Sequence, residues 1–324
     1  MERLLWLDWM KVLAIIAIVW GHFFSDGHLY LYVFSVQVFC IISGFLYHRA
    51  DSWRECLGKC FWGLIVPTVI MSIIMHLDAW IRCAAMGKEY PVSLVWYVKW
   101  LLLGHRWCMG PCWYFYSLVV MRIIMQILPQ RTWARALLLL TTAAGAVAWN
   151  KSGIGTGVSN ANVNVLVTMP LFVIGVFLQP LKTRLSAMHN RVFEVVLLAM
   201  AVVAVVVCGN TNGYVWMYLC AYGNNFLLYV VGAFAGTAML YVMALWLSRV
   251  GGKMIATTLS KGSILIIGLH VIIVRRLTEL PDRMWLEDLF ASVFILLGFI
   301  PIIQLAERYC PLLLGKKHPP VSGL

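Results

Sequence analysis

Three ionisable side chains interrupt an otherwise aliphatic stretch near the start of the chain: Asp8, Lys11 and His22 in "LDWMKVLAIIAIVWGHFF". At about 100° of rotation per residue they fall within an arc of about 60°, so a helix here carries them as one stripe. Asp8 and His22 stand roughly 21 Å apart along the axis, so the pair nearly brackets a membrane. Imidazole, with an ordinary pKa of about 6.5, takes up and returns a proton near neutrality, the service a hydroxyl nucleophile needs. Ionisable groups inside a span usually face a bundle interior or an aqueous cavity. Plainer readings stay open. Asp8 and Lys11, three residues apart, suit an interfacial ion pair, and His22 suits a hydrogen bond to a loop carbonyl.

Other groups with chemical potential lie further along. Arg49, Arg54 and Lys59 cluster before Pro67; they serve either to orient the chain in the bilayer or as a cradle for phosphates. Arg122 in "VVMRIIMQIL" either snorkels to the near boundary or contacts phosphate. His270 sits mid-span in "SILIIGLHVIIV", where an imidazole needs a partner, either as a structural hydrogen bond or within a site. The small residues of "SGF", Ser43 to Phe45, suit close helix approach. Nine cysteines are scattered without a CxxC pair or nearby histidine at metal spacing, so no metal is expected and most read as small buried hydrophobes. Cys108, Cys112, Cys208 and Cys220 could share the outer side, which leaves a disulfide open.

The elements that must hold these groups are membrane helices. The chain has 324 residues, is 62% hydrophobic and 12% charged, with a mean hydropathy of +0.86, more apolar surface than one soluble core covers. The expected fold is an all-α polytopic transmembrane bundle with about ten crossings, near 8–24, 31–48, 60–80, 112–128, 136–150, 164–180, 192–208, 225–247, 263–274 and 288–306. The segment 94–104, short and carrying Lys99, reads as an interfacial or re-entrant helix. Charges and a proline in "RRLTELPDRMWLED" separate the last two crossings. Basic residues divide about two to one in favour of the side holding the N-terminus, which predicts both termini in the cytoplasm. The net charge of +12 then follows from orientation, and nucleic acid is not an expected partner. The first apolar run lacks a cleavage site and reads as a retained anchor. Residues 1–310 read as one transmembrane domain and 311–324 as a short cytoplasmic tail.

With the second span added, the pattern becomes specific. "LDWMKVLAIIAIVWGHFF" followed by "YVFSVQVFCIISGFLYHR" resembles the opening of the membrane-bound acyltransferase 3 family, which supplies polysaccharide O-acetyltransferases. There Leu-Asp-x-x-(Arg/Lys)-x-x-Ala leads through an aliphatic stretch to a histidine, and an aromatic-rich second span ends in Gly-(Phe/Tyr)-Leu. "LIVP" ending at Pro67, "PCWYF" from Pro111, "MPLFVIGVFL" from Met169 and the segment with His270 follow in order.

The resemblance implies transfer of an acyl group, usually acetyl, from cytoplasmic acyl-CoA to a sugar hydroxyl on the far side of the cell membrane. By that resemblance His22 is the catalytic histidine. Asp8 is placed with it, and Lys11, Arg49, Arg54, Lys59, Arg122 and His270 are placed toward the donor. The expected partners are acyl-CoA, with acetyl-CoA the usual donor and no metal, an extracytoplasmic carbohydrate and the lipid bilayer. Trp96, Trp100, Trp107, Trp113 and Trp216 form an aromatic belt or in part a stacking platform for sugar rings, and Asn160, Asn162 and Asn164 are loop residues or sugar hydrogen-bonders. One departure stands out: Gly63 occupies a position that is often basic in the family. A transporter or flippase of a glycan-linked or anionic substrate is the main alternative, and a silent scaffold subunit a weaker one.

Overall fold

The structure, a computed structural model, describes residues 3–24, 27–153, 161–188, 190–278 and 284–317, apart from the side chains of residues 106 and 107. Asn160, Arg283 and the side chain of Trp107 therefore lie outside the described residues. Helices, and no strands, make up the described residues. In chain order they are α1 (Leu5–Gly21), α2 (His28–Tyr32), α3 (Ser35–Phe45), α4 (Trp53–Cys60), α5 (Val66–Ala85), α6 (Leu94–Leu102), α7 (Arg106–Met109) and α8 (Trp113–Ile127). Then come α9 (Thr132–Lys151), α10 (Val165–Leu178), α11 (Lys182–Ser186), α12 (Arg191–Asn212), α13 (Phe226–Val250), α14 (Lys253–Lys261), α15 (Ser263–Leu277) and α16 (Trp285–Tyr309).

Six continuous segments are long and apolar enough to cross a membrane, and the pair α14 and α15, bent by 80°, would make seven. The ten crossings expected from hydropathy are thus not confirmed. The 17 residues of α1 and 15 of α8 are shorter than these spans, and α9 is diluted by Thr141, Thr142 and small residues. The 9 residues of α6 are too few to cross, in keeping with the expectation for that segment.

Helix α1 is central, packing against α3, α13, α14, α15 and α16, which is why its aliphatic sequence is buried all round. Peripheral α12, with 28% of its apolar window buried, turns most of its side chains outward. Between apolar helices in lipid, close packing replaces the hydrophobic effect as the cohesive force, and small residues set how close helices come. Gly44 of α3 and Gly175 of α10 meet reciprocally. A Cβ on Gly44 would fall 1.8 Å from the Phe172 carbonyl oxygen, and one on Gly175 would fall 2.1 Å from that of Ile41. The "SGF" segment thus does lie at a close helix contact.

Two breaks shape the bundle near its functional groups. Residues Phe61–Ile65 form a π-turn between α4 and α5. Pro67 offers no N–H to the Gly63 carbonyl and its ring crowds that oxygen, so the helix widens just before it. At the other break, Gly262 separates α14 from α15, and a Cβ there would fall 2.1 Å from Ile303 on α16. All nine cysteines are free, seven of them buried, so the outer disulfide left open by the sequence does not form.

Candidate active site

His22 caps the C-terminal end of α1, its backbone N–H bonded to the carbonyls of Ile18 and Val19. Its Nδ1 lies 2.7 Å from the Ile18 carbonyl oxygen and 3.4 Å from Nε2 of His270 on α15. The two rings meet edge to face with centroids 4.8 Å apart. Nδ1 of His270 lies 3.0 Å from the carbonyl oxygens of both Ile266 and Ile267. Carbonyls only accept, so the neutral His270 carries its proton on Nδ1 and presents a lone pair at Nε2. His22, facing a carbonyl and that lone pair, carries its proton on Nδ1 too. Its Nε2 is left unprotonated, and no described residue bonds it.

Two adjoining cavities share the His22 ring. The larger, of about 570 Å³, is walled by the end of α1, the α2–α3 junction, the turn before α8, residues 215–218 and one face of α15. That volume is in the range of small-molecule sites. The smaller, of about 30 Å³, runs one turn back along α1 to Ile18 and touches Phe39, Tyr114 and Ile267; it has room for about one water molecule. Tyr114 is fixed by its hydroxyl, which donates to the Phe39 carbonyl at 2.9 Å and lies 2.8 Å from the Ser43 hydroxyl. The "PCWYF" segment thereby brings Pro111 and Trp113 to both cavities and Tyr114 to the smaller.

At the opposite end of α8 a more open cavity of about 690 Å³ is lined by Arg54, Glu55, Lys59, Trp62, Arg122 and Lys317, with Gly58, Gly63 and Gly315 as its backbone floor. Arg54, Gly58 and Trp62 recur every four residues and so share one face. Ser52 starts α4 by accepting from the Glu55 N–H at 3.2 Å, while Glu55 accepts from the Asp51 N–H at 2.9 Å, a reciprocal cap. Glu55 also pairs with Lys59 at 2.5 Å. The cavity nonetheless keeps a positive excess, because Arg54, Arg122 and Lys317 add to Lys59 against one carboxylate. Gly315 has φ of +68°, and a Cβ there would fall 2.5 Å from the Gly63 carbonyl. The C-terminal segment therefore lies against Gly63 and carries Lys317 to within 5.6 Å of the Trp62 ring.

The sequence-derived candidates thus divide into groups. His22 and His270 meet; Arg54, Lys59 and Arg122 share the second cavity. Arg49 does not line that cavity; its guanidinium donates to the Gln126 carbonyl near the end of α8 at 2.9 Å. Asp8 is not brought to His22: its buried carboxylate pairs with Arg3 at 2.5 Å, and Arg3 also donates to the Thr257 carbonyl on α14. The ion pair at this end is with Arg3 rather than Lys11. Half-buried Lys11 makes no hydrogen bond or ion pair with the described residues. Of the tryptophans, Trp113 and Trp216 line the His22 cavity, whereas Trp96 and Trp100 lie on α6. Asn164 is buried and donates to the Tyr218 carbonyl at 3.3 Å, bracing the 215–218 wall. Sequence reasoning missed Trp62 and Lys317, which only the folded C-terminal segment brings together.

A match to the acyltransferase domain family Acyl_transf_3 extends over residues 4–306. The chain belongs to this family. The described helices of both cavities fall within the matched region, whereas Gly315 and Lys317 lie beyond it. No curated protein and no solved structure matches the chain. Family membership supports acyltransferase activity in a multi-helix membrane protein, and it favours an enzyme over the transporter and scaffold alternatives.

Proposed function

We propose that this membrane acyltransferase takes an acyl group, acetyl being the expected one, from cytoplasmic acyl-CoA and transfers it to a hydroxyl of a glycan outside the cell membrane, with both termini in the cytoplasm. The observation that carries this reading is the His22 imidazole: Nδ1 is committed to Ile18 and His270, and the ring lines the large cavity. Nε2 is then the nitrogen free to receive the proton of an acceptor hydroxyl. As the proton moves, the hydroxyl oxygen bonds to the thioester carbonyl carbon. Collapse of the tetrahedral adduct breaks the C–S bond, and the departing thiolate takes the proton back from Nε2, regenerating the neutral imidazole. His270, accepting from Nδ1 of His22, supports the cation formed between those steps.

The basic second cavity supports binding of the donor's phosphates by Arg54, Lys59, Arg122 and Lys317, with Trp62 offering a face to the adenine ring. Arg122 lies nine positions beyond Trp113 on α8, roughly 14 Å by helical rise, the stretch that an extended pantetheine arm has to cover. Arg49, Lys11 and Asp8 act at the same end, Arg49 by holding the approach to α4 and Asp8 by fixing Arg3 to α14.

His22→Ala is expected to reduce acyl transfer by roughly 10²- to 10⁴-fold while the amount of protein in the membrane stays the same. Membranes incubated with radiolabelled acetyl-CoA and cell-envelope carbohydrate provide the measurement. Wild-type label in the carbohydrate from the variant would refute the assignment.

A further inference from the structure

On the proposed reading of the large cavity as the acceptor site, its charge identifies the kind of acceptor. Val271, Val274 and Arg275 of α15 line it together with Thr278 just past the helix end, recurring at the spacing of a single helix face. Arg275 lies five residues beyond His270, roughly 7.5 Å along the helix from the histidine pair, a reach comparable to one sugar ring and its substituent.

Arg275 is exposed and lines the cavity, and the carboxylate whose charge reaches it is Asp78, which it shares with two other arginines. Its neighbour Arg276 is paired with Asp78 at 3.0 Å through Oδ1, and Arg82 holds the other oxygen of that carboxylate at 3.0 Å. Both oxygens of Asp78 are therefore engaged. Among the described residues the Arg275 guanidinium makes neither a hydrogen bond nor an ion pair, and none of the Asp or Glu residues among them lines the cavity. Trp113, Trp216, Tyr32 and Tyr218 supply aromatic walls, with Trp216 and Tyr218 stacked at 6.0 Å and 20°. Aromatic faces suit the apolar faces of sugar rings, and a guanidinium fork suits an oxyanion.

We infer that the acceptor is an acidic glycan whose carboxylate or phosphate binds Arg275 while a neighbouring hydroxyl reaches His22. The full-length protein, purified in detergent, is given acetyl-CoA and three acceptors: a hexuronate disaccharide, its carboxyl-reduced neutral form and a disaccharide carrying a phosphate monoester. The wild type is expected to show a KM at least tenfold lower for an anionic acceptor than for the neutral one, and the two anionic arms identify the group. Arg275→Gln removes the preference by raising the anionic KM alone. Arg276→Gln, which removes the same charge one residue away, keeps it. Equal use of acidic and neutral acceptors by the wild type, or a preference that survives Arg275→Gln, overturns the inference.

If no acceptor is acylated, the proposed activity fails and the charge inference is read from binding, followed by quenching of tryptophan fluorescence. Tighter binding of an anionic disaccharide that depends on Arg275 supports it. Equal binding of charged and neutral forms, or none at all, overturns it.

Discussion

His270 has one nitrogen to offer, because the other is committed to two backbone carbonyls. Replacing it with Phe keeps bulk but leaves His22 Nδ1 without its second acceptor. The expected outcome is a fall in kcat of about tenfold, in line with loss of one hydrogen bond to a developing charge, with KM for both substrates unchanged. His270→Gln, which restores an acceptor oxygen, should recover part of the rate, and the double variant with His22→Ala should be no slower than His22→Ala alone. Steady-state kinetics on the four variants beside the wild type check this. His22 was legible in the sequence because an imidazole interrupts a run of aliphatic residues on the same face as Asp8 and Lys11. Its pairing was not, since 248 positions separate the two histidines and only the packing of α15 on α1 joins them. The stripe pointed to Asp8 as the companion, but collinearity on one helix face does not bring together groups about 21 Å apart.

At the scale of helices, the α3–α10 contact fixes α3, which begins with Ser35, Val36 and Gln37 on the large cavity and carries Ser43 to Tyr114. Gly175→Ala would push a methyl into the Ile41 carbonyl, and packing of this kind costs roughly 1–3 kcal/mol. A thermal unfolding midpoint several degrees below wild type is expected for the detergent-solubilised variant. Gly298→Ala, whose Cβ meets nothing within 4 Å, should leave the midpoint unchanged or raise it slightly. The glycine of "SGF" announced a close contact, but its partner on α10 could not be read from spacing. The break after α15 was legible from its charges and proline. Helix α14 was not, because it is short, amphipathic and set almost perpendicular to the apolar helix that follows.

Taken as a whole, the molecule places its histidine pair and its basic cavity at opposite ends of α8. Arg122→Ala and Lys317→Ala are each expected to raise KM for acyl-CoA several-fold with kcat for the acceptor unchanged. The wild-type KM should also rise with ionic strength, because open cationic clefts are screened by salt. Titrations of acyl-CoA at low and high salt measure both effects. The helical membrane class was legible from composition alone, and Arg54, Lys59 and Arg122 stood out as cations at segment ends. Lys317 did not, because its place depends on the fit of Gly315 against the Gly63 carbonyl, a contact between distant parts of the chain. The pattern of thiol exposure turns orientation into a chemical measurement: Cys310 at the end of α16 is the exposed cysteine of the nine. A bulky, membrane-impermeant maleimide should leave it unmodified in intact cells and label it once they are permeabilised; modification before permeabilisation would put that end of the protein outdoors.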